Sequence, residues 1–539
     1  MKRLPLLFAL GFAALAAACS GGGGNSTPPP PTGGFTPASL KGNYAFSMAG
    51  EDPFNGTFVT RVGSFIADGN GNITSAIEDV GDAAQPTTVA FSQGTYTMQA
   101  NGKGTITLPA AVGGGLALNF SMSTAAPTGV GLLIQADGNA TSSGSFNQQN
   151  IGSFTQPFAA ANYVFDFSGT DLTNGFPVSI IGEVATNGAG ILGTGTEDVN
   201  DGGAAAPSGP LAINAGGMVT PDNTAGNNAN FGRSTITFGG NTFVFYPIDQ
   251  THAKFIETDG AALTSGDFFQ QTGTIPTSNA NFTSSFISIT GGSNVNINVG
   301  GAVTRALRFT ADGAGNLNTL LFDQNAQKSD GTGSHACVDS SDGGCSLSVA
   351  TATYSITGAA SPGRGTLSIM FSGQSAAVDE VFYIASPTLG VIQDVSTNIV
   401  ADGSMLGQAG NIATSGNFAI NISGQVAPSS GNVGLEEDIV GQYAVSSNNI
   451  TGASDLIELG TTSNHNVAPT NVATSGTSLI NGDGTKRNSL QFVFTPQSGP
   501  AAKRNFTAYV GGSPPQLLLI GTDTADIDTG TVITQTTPQ

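Results

Sequence analysis

Residues 68–79, DGNGNITSAIED, hold the most regular series of oxygen-bearing side chains in the sequence. Asp68, Asn70 and Asn72 stand at alternate positions, and Glu78 follows near the end of the stretch. Carboxylate and amide oxygens at alternate positions of a loop are ligands that Ca²⁺ prefers. The same residues also favour a tight turn between two strands, because Asp-Gly and Asn-Gly are strong hairpin signals.

Related stretches later in the chain favour the turn. In TNGAGI and ADGAGNL, Asn70 is replaced by Ala189 and Ala314, so the oxygens are lost while both glycines remain. A helix-loop-helix calcium site also requires Gly at its sixth position, where Ile73 stands. We therefore predict a turn, with calcium in the first copy alone as the weaker hypothesis and no other cofactor.

Carboxylate pairs follow this turn in two places, as Glu78-Asp79 and Glu197-Asp198. A pair of carboxylates is the machinery of glycoside hydrolysis. Neighbouring residues on a strand point to opposite faces, however, so the two members of each pair cannot flank one bond. We predict a structural role for them instead.

A turn with a basic residue also recurs, although basic residues are scarce in this chain. The residues at or near its matching places are Lys103, Arg233, Arg364 and Lys486-Arg487. We predict ion pairs between this basic turn and the acidic strand. Exposed pairs of this kind would add little stability.

No further catalytic constellation is visible in the sequence. His252, His335 and His465 have no second histidine at ligand spacing, and we predict that they lie at the surface. There is no Gly-x-Ser-x-Gly elbow, phosphate loop or zinc signature. We therefore expect a protein that is not an enzyme.

Two of the three cysteines, Cys337 and Cys345, lie close together among turn-forming residues. In an exported protein a disulfide that closes a surface loop is the natural pairing, worth about 2–3 kcal/mol for so short a loop. A metal site is the alternative, but His335 is the only nearby partner and further ligands would be needed.

The first twenty residues, MKRLPLLFALGFAALAAACS, predict export, because a basic start precedes an apolar run that is short for a membrane span. The ending before Cys19 resembles the lipobox of bacterial lipoproteins, in which the cysteine is lipidated and becomes the mature N-terminus. Ordinary cleavage with a free Cys19 is the alternative. The resemblance implies a signal peptide at residues 1–18 and an outer-membrane anchor facing the periplasm or the cell surface.

Residues 19–37 are rich in Gly and Pro and predict a tether rather than a folded segment. The remaining chain has a formal net charge of −23, because the signal peptide removes Lys2 and Arg3 from a total of −21. Such an acidic chain argues against nucleic acid as a partner, since phosphate binding requires basic patches.

Internal repetition is the strongest signal of architecture. Similar alternating openings begin at Asn43, Asn162 and Asn417, and a looser one begins at Asn279. All four segments close with the same pattern, Gly-x-apolar-x-x-Gln, which ends at Gln149, Gln271, Gln408 and Gln535. We predict β repeats at residues 38–150, 158–272, 279–409 and 415–536, the last degenerate.

Apolar residues alternate with polar ones within each repeat, which predicts half-buried strands. The first repeat shows about eight such runs, separated by Gly, Asn and Asp. Eight antiparallel strands suit a small up-and-down barrel, because a closed barrel leaves no exposed edge. We therefore predict an all-β chain of four tandem barrels, with β-sandwiches as the alternative.

The tandem copies, with their turn, Glu-Asp pair and closing Gln, resemble uncharacterised bacterial exported lipoproteins built from repeats of this length. The resemblance implies no activity. We expect a structural, adhesive or display protein of the cell envelope, attached through its lipid and with an unknown envelope or extracellular partner. A lipocalin-like binder of small apolar ligands is the alternative, and a hydrolase is a third and weaker one.

Overall fold

A computed structural model describes residues 34–53, 56–109, 115–204, 206–296, 301–327, 334–338, 348–410, 412–426, 435–458, 470–480, 487–496, 501–523 and 526–536. The predictions for the signal peptide, Cys19, most of the tether and Cys345 lie outside these residues. Cys337 lies in a described strand, but its side chain is outside the description. The described residues form four antiparallel sheets, one in each predicted repeat. The predicted all-β fold of tandem barrels is confirmed.

Module 1 is an eight-stranded up-and-down barrel with one additional strand. Its strands are β1 (Lys41–Asp52), β2 (Thr57–Asp68), β3 (Asn72–Asp82), β4 (Thr87–Phe91), β5 (Gly94–Met98), β6 (Lys103–Leu108), β7 (Leu116–Thr124), β8 (Val130–Gln135) and β9 (Thr141–Gln148). Strand β9 pairs with β1, and the start of β3 pairs with β5, which closes the barrel. The far end of β3 pairs with β4 instead.

Modules 2 and 3 repeat this arrangement with nine strands each. Module 2 contains β10 (Asn162–Asp171), β11 (Pro177–Thr186), β12 (Leu192–Asp201), β13 (Ser208–Ile213), β14 (Thr220–Pro221), β15 (Ser234–Phe238), β16 (Asn241–Asp249), β17 (His252–Glu257) and β18 (Ala262–Gln270). It also contains a short helix α1 (Asn227–Phe231). Module 3 contains β19 (Ser285–Asn294), β20 (Gly301–Ala311), β21 (Leu317–Gln327), β22 (Ser334–Val338), β23 (Val349–Ile356), β24 (Arg364–Phe371), β25 (Val378–Ser386), β26 (Leu389–Asp394) and β27 (Ile399–Gly407). Single bridges join their sheet edges, Ile191 to Met218 and Asn316 to Thr353.

Module 4 is a closed barrel of eight strands, although its sequence has lost most of the turn signature. Its strands are β28 (Gly416–Val426), β29 (Leu435–Ser446), β30 (Asn449–Glu458), β31 (Thr470–Leu479), β32 (Asn488–Pro496), β33 (Ala502–Gly511), β34 (Gln516–Gly521) and β35 (Asp526–Thr534). Strand β35 pairs with β28 along the whole strand.

The barrel lumens are filled by side chains. In β1, Tyr44, Phe46 and Met48 point inward by strand alternation and join a cluster of buried aliphatic and aromatic residues. Tyr44 stacks on Phe65 with ring centroids 5.2 Å apart. Comparable clusters fill the other three barrels, and that of module 2 is dominated by phenylalanine. The high Phe content is therefore core, as an alternating pattern predicts.

Some of the many glycines make room for these aromatic rings. Phe46 lies across from Gly63 on the neighbouring strand, and Phe146 lies across from Gly131. A Cβ at Gly131 would approach the Phe146 ring to 2.3 Å, and one at Gly63 would approach Phe46 to 2.7 Å. Each ring thus covers a glycine on the next strand, which lets bulky rings fit inside a narrow barrel.

The four modules pack side by side in a closed ring. In each module, the outer faces of the first three strands lie against the next module, mainly against the second and third strands from its end. Module 4 packs in the same way on module 1. The apolar cluster between modules 2 and 3 includes Val164, Ile181 and Tyr383, and that between modules 4 and 1 includes Val440, Ile533 and Leu132. Each barrel therefore has one apolar lumen and two partly apolar outer faces.

Candidate functional site

The predicted calcium stretch is a turn whose oxygens bind the turn itself. The Asp68 carboxylate accepts hydrogen bonds from the backbone N–H groups of Asn70 (2.6 Å) and Asn72 (3.1 Å) and from the Asn72 side chain (2.8 Å). These bonds, above all the one from the Asn72 side chain, lower the pKa of Asp68. Asp312 holds the corresponding turn of module 3 in the same way. This is an Asx-type turn, in which the side chain replaces a backbone acceptor.

Glu78 does not join Asp68, so the four residues of the weak calcium hypothesis are not brought together. Glu78 is buried in β3 and accepts a hydrogen bond from Arg61 at 2.8 Å. Burial raises the pKa of Glu78, and the Arg61 charge opposes the rise. Among the residues that the structure describes, no group of three or more His, Cys, Asp or Glu is arranged to hold a metal ion.

The acidic strand and the basic turn do form ion pairs, but between consecutive modules rather than within one barrel. Arg233 of module 2 holds Asp79 of module 1 through two parallel bonds, Nη2 to Oδ1 at 2.7 Å and Nε to Oδ2 at 3.0 Å. The Tyr246 hydroxyl donates to the same carboxylate at 2.6 Å. Such a bidentate pair is among the stronger polar contacts available to a protein.

The same three-residue arrangement recurs at the next two interfaces. Arg364 and Tyr383 of module 3 hold Asp198 of module 2, with the two guanidinium bonds at 2.7 Å and the hydroxyl bond at 2.6 Å. Arg487 of module 4 holds Asp323 of module 3 at 2.8 and 2.9 Å, and Tyr509 donates to it as well. We refer to each set as an Arg-Asp-Tyr clamp.

The interface that closes the ring lacks this clamp. Lys103 of module 1 lies 3.0 Å from Asp455 of module 4, and its buried ammonium makes no hydrogen bond of good geometry. Ser121 stands where the clamp has tyrosine, because it pairs with Lys103 as Tyr383 pairs with Arg364. The closing contact is therefore one ion pair in place of three charge-assisted bonds.

Glu197, predicted to form an ion pair, has none among the described residues. Its carboxylate is buried at the end of the barrel beside Gly239. Burial, and then the like charge of Asp198, raise the pKa of Glu197 to about 7. The alternation of the strand explains the difference, because Asp198 faces the next module while Glu197 faces the barrel lumen.

The closing glutamine of each repeat is a second recurring contact between modules. Gln149 donates its amide to the carbonyl oxygens of Phe231 and Pro247 at 3.0 and 2.7 Å. Gln271 donates to Pro362 and Ile384 in the next module at 2.9 and 2.8 Å.

Gln535 makes the same contact across the closing interface, with the carbonyl oxygens of Asn101 and Met122 at 3.0 and 2.7 Å. These two carbonyls flank Lys103 and Ser121, as the carbonyls held by Gln271 flank Arg364 and Tyr383. The glutamine contact is therefore kept where the Arg-Asp-Tyr clamp is not. Gln408 pairs with Gly511 of module 4 by a single β-bridge.

Polar groups are also buried between modules 1 and 2, on the outward faces of β1, β9, β17 and β18. Lys254 in β17 contacts Asp267 (3.2 Å), Ser47 (2.9 Å) and Ser145 (3.2 Å), and so joins modules 1 and 2. His252 lies 2.6 Å from Asp267 through Nε2 and stacks on Phe269. The prediction of a surface position for His252 is wrong, since only 3% of it is exposed.

Two further interfaces bury carboxyl groups without a cation. Asp166 and Asp402 meet between modules 2 and 3, and burial raises the pKa of both, that of Asp402 to about 7. Between modules 4 and 1, burial raises the pKa of Asp438 and Glu51 to about 7, and it raises that of Glu436 as well. Thr141 donates a hydrogen bond to Glu436. A buried carboxyl without a cation is favoured in its neutral form.

A cavity of about 770 Å³ lies at one end of the ring, where modules 1, 2 and 4 and the segment between modules 3 and 4 meet. Its walls are largely apolar and include Ile151, Ile248, Ile412 and Ile533, together with prolines. Asn147 and His252 supply polar groups to the lining. The size and the mixture of groups are typical of a site for a small molecule.

No protein-family model and no curated protein matches this chain. Among the described residues there is no helix of the length and apolar character needed to cross a membrane.

Sequence reasoning missed the clamp tyrosines and the cavity. The tyrosines had a visible signal, because a Phe-Tyr pair recurs at Tyr246 and Tyr383, and Tyr509 occupies the matching position. The cavity had no such signal, because its lining comes from segments far apart in the chain.

Proposed function

We propose that the protein is a non-catalytic lipoprotein of the bacterial cell envelope whose four barrels form one rigid structural or display body. The observation that carries this proposal is the ring itself. Every module holds the next through its glutamine or through its ion pair, and module 4 holds module 1 in the same direction. A closed ring resists the bending that a string of separate domains allows.

The position of residues 34–40 supports a body carried on a tether. Phe35 is buried on module 1 and bonds through its backbone N–H to Ala100 at 2.9 Å, and Leu40 is fully buried. The tether predicted at residues 19–37 therefore joins the ring at a fixed point rather than at a loose strand. Lipidation at Cys19 would then hold the whole ring at the outer membrane.

The filled lumens disfavour the alternative of lipocalin-like barrels. A barrel that carries a ligand leaves its interior open, whereas these interiors hold clusters of Phe, Tyr, Leu and Ile. Buried carboxyls such as Asp166 and Asp402 lie inside an interface between modules, which gives the hydrolase hypothesis no support either.

Two measurements test the proposal. Labelling of cells with a fatty-acid precursor should mark the intact chain but not a Cys19→Ser variant, and fractionation should find the labelled chain in the outer membrane. An unlabelled, freely released wild-type chain would overturn the anchor. Small-angle scattering of the released body should give a radius of gyration near ~23 Å, the value for a compact body of about 500 residues. A much larger, elongated particle would overturn the ring.

A further inference from the structure

We propose that the cavity at the end of the ring is a binding site for a small, uncharged and mostly apolar molecule with one hydroxyl or amide group. This inference goes beyond the envelope role and does not depend on lipidation. It places binding between the modules rather than inside a barrel.

The apolar part of the site comes from side chains that the fold leaves uncovered. Ile151 is 65% exposed at the cavity, the highest exposure found among the exposed large apolar residues. Ile248, Ile412 and Ile533 line the wall beneath it and are themselves almost buried. A volume of about 770 Å³ is within the range of small-molecule sites.

The polar part of the site is an amide oxygen for which no hydrogen bond is found among the described residues. Only 6% of Asn147 is exposed, and its side-chain oxygen is buried without a hydrogen bond. A buried amide oxygen without a donor costs free energy, so a ligand group that donates a hydrogen bond to it is favoured. Asn147 offers both a donor and an acceptor, which suits a hydroxyl or another amide.

His252 adds a second polar group near Asn147. His252 lies two positions before Lys254 in β17, and Asn147 lies two positions after Ser145 in β9. Lys254 and Ser145 are in contact, so strand alternation puts all four residues on facing surfaces. The Nε2 atom of His252 is held by Asp267, whereas no described residue hydrogen-bonds to Nδ1. Asn147 and Nδ1 therefore converge on one region of the cavity.

The charges around the cavity favour an uncharged ligand. Lys254, two positions from the lining residue His252, is already paired with Asp267. Asp249 lines the cavity, but its carboxylate accepts two bonds from Thr251, both at 2.6 Å. An anion would be repelled by Asp249 and by the strongly acidic chain, and a cation would meet a single carboxylate whose Oδ1 atom already accepts both bonds from Thr251.

Fluorescence titration of the full exported chain with N-phenyl-1-naphthylamine tests the site, because this probe is neutral, apolar and carries one N–H group. Saturable binding of one probe per chain is expected. The Ala413→Trp variant fills the mouth from an exposed lining position and should weaken binding at least about tenfold. The matched control is Ala189→Trp, an exposed turn residue outside the cavity, which should leave binding unchanged.

Competition then tests the polar group. 1-Nonanol should displace the probe at concentrations about tenfold below those needed for nonanoate. Asn147→Leu should weaken the alcohol by about two- to tenfold and leave nonanoate unchanged. Absence of saturable probe binding, equal effects of the two tryptophan variants, or an alcohol affinity that Asn147→Leu does not alter would each overturn the proposal. Circular dichroism of every variant separates loss of the site from loss of the fold.

Discussion

The interface between modules 2 and 3 and the interface between modules 4 and 1 use the same faces but different polar contacts. Both contain the closing glutamine, with its two carbonyl partners at 2.7–3.0 Å. The first adds Arg364, Asp198 and Tyr383, whereas the second has the Lys103–Asp455 pair in their place. The difference teaches that the glutamine contact sets the geometry of the ring, while the clamp sets how firmly each joint is held.

The absence of a clamp is notable because the closing joint is also the one without a covalent link. Modules 2 and 3 are connected by the chain, so their contact is effectively intramolecular over a short linker. Modules 4 and 1 meet through residues far apart in the chain, 434 positions for Gln535 and Asn101. We infer that the ring opens first between modules 4 and 1.

The largest effect should come from removing a clamp aspartate. Asp198→Ala leaves Arg364 and the Tyr383 hydroxyl buried without their acceptor, and it should lower the free energy of unfolding by about 3–5 kcal/mol. Asp455→Ala should cost less, about 1–3 kcal/mol, because it removes one ion pair and one hydrogen bond from Asn471 rather than three charge-assisted bonds. Urea unfolding followed by circular dichroism measures both. An equal loss for the two variants would break the comparison.

A rise in pH should open the closing joint selectively. The folded pKa of Glu51 and Asp438 is about 7, above the ordinary values near 4, and that of Glu436 is raised as well. Their contribution is therefore fully present below about pH 4 and is lost as pH rises through 7. We expect hydrogen exchange, corrected throughout for the intrinsic pH dependence of amide exchange, to be faster in β8 and β29 at pH 8 than at pH 5, with little change between modules 3 and 4.

The matched variant for this prediction is Asp438→Asn, which mimics the neutral carboxyl. It should reduce the difference in exchange between pH 5 and pH 8. Asp379→Asn, which changes an exposed carboxyl of β25, should leave that difference intact. Exchange at the closing joint that is independent of pH in the unaltered chain would contradict the assignment.

A smaller effect should follow from converting one joint into the other. The double variant Arg364→Lys with Tyr383→Phe brings the polar contacts of the interface between modules 2 and 3 closer to those of the closing joint, and it keeps the buried ring that packs there. It should cost about 1–3 kcal/mol, less than Asp198→Ala, since a cation still faces Asp198. Urea unfolding checks the order. A cost above that of Asp198→Ala would contradict the view that the carboxylate holds this joint.

The smallest effect should come from the turn that opens β3. Asp68→Ala removes three hydrogen bonds at an exposed position and should lower the melting temperature by only a few degrees, because exposed polar groups exchange one partner for water. Calcium at millimolar concentration should not raise the melting temperature of the unaltered chain. A rise that Asp68→Ala abolishes would restore the calcium hypothesis.

The sequence was sufficient for the fold because alternation and internal repetition are local signals. Tyr44, Phe46 and Met48 mark an inward face by their spacing alone, and the repeated Asp-Gly turns separate the strands. The ninth strand of the first three modules was not predicted. Strand β4 pairs only with the far end of β3, and that choice depends on how the barrel closes.

The contacts between modules were predictable only in part. The recurrence of basic and acidic residues correctly singled out Asp79, Arg233, Lys103 and Asp198, but repetition within one chain cannot say whether partners lie in the same copy or in adjacent ones. Asp198 and Glu197 are adjacent acidic residues in the sequence. Only the orientation of β12 shows that Asp198 faces the next module and that Glu197 is buried in the barrel lumen.

Phe35 and Gln535 both lie against Gly102, so the two extremes of the folded body meet at one glycine. Each joint points in the same direction around the ring, and no module is first in space. A gene that begins at module 2 and ends with module 1, with a short peptide joining residues 536 and 34, should therefore encode the same ring as a circular permutant. The faces that build the ring are the same at every joint, although the joint that the chain leaves open lacks the clamp.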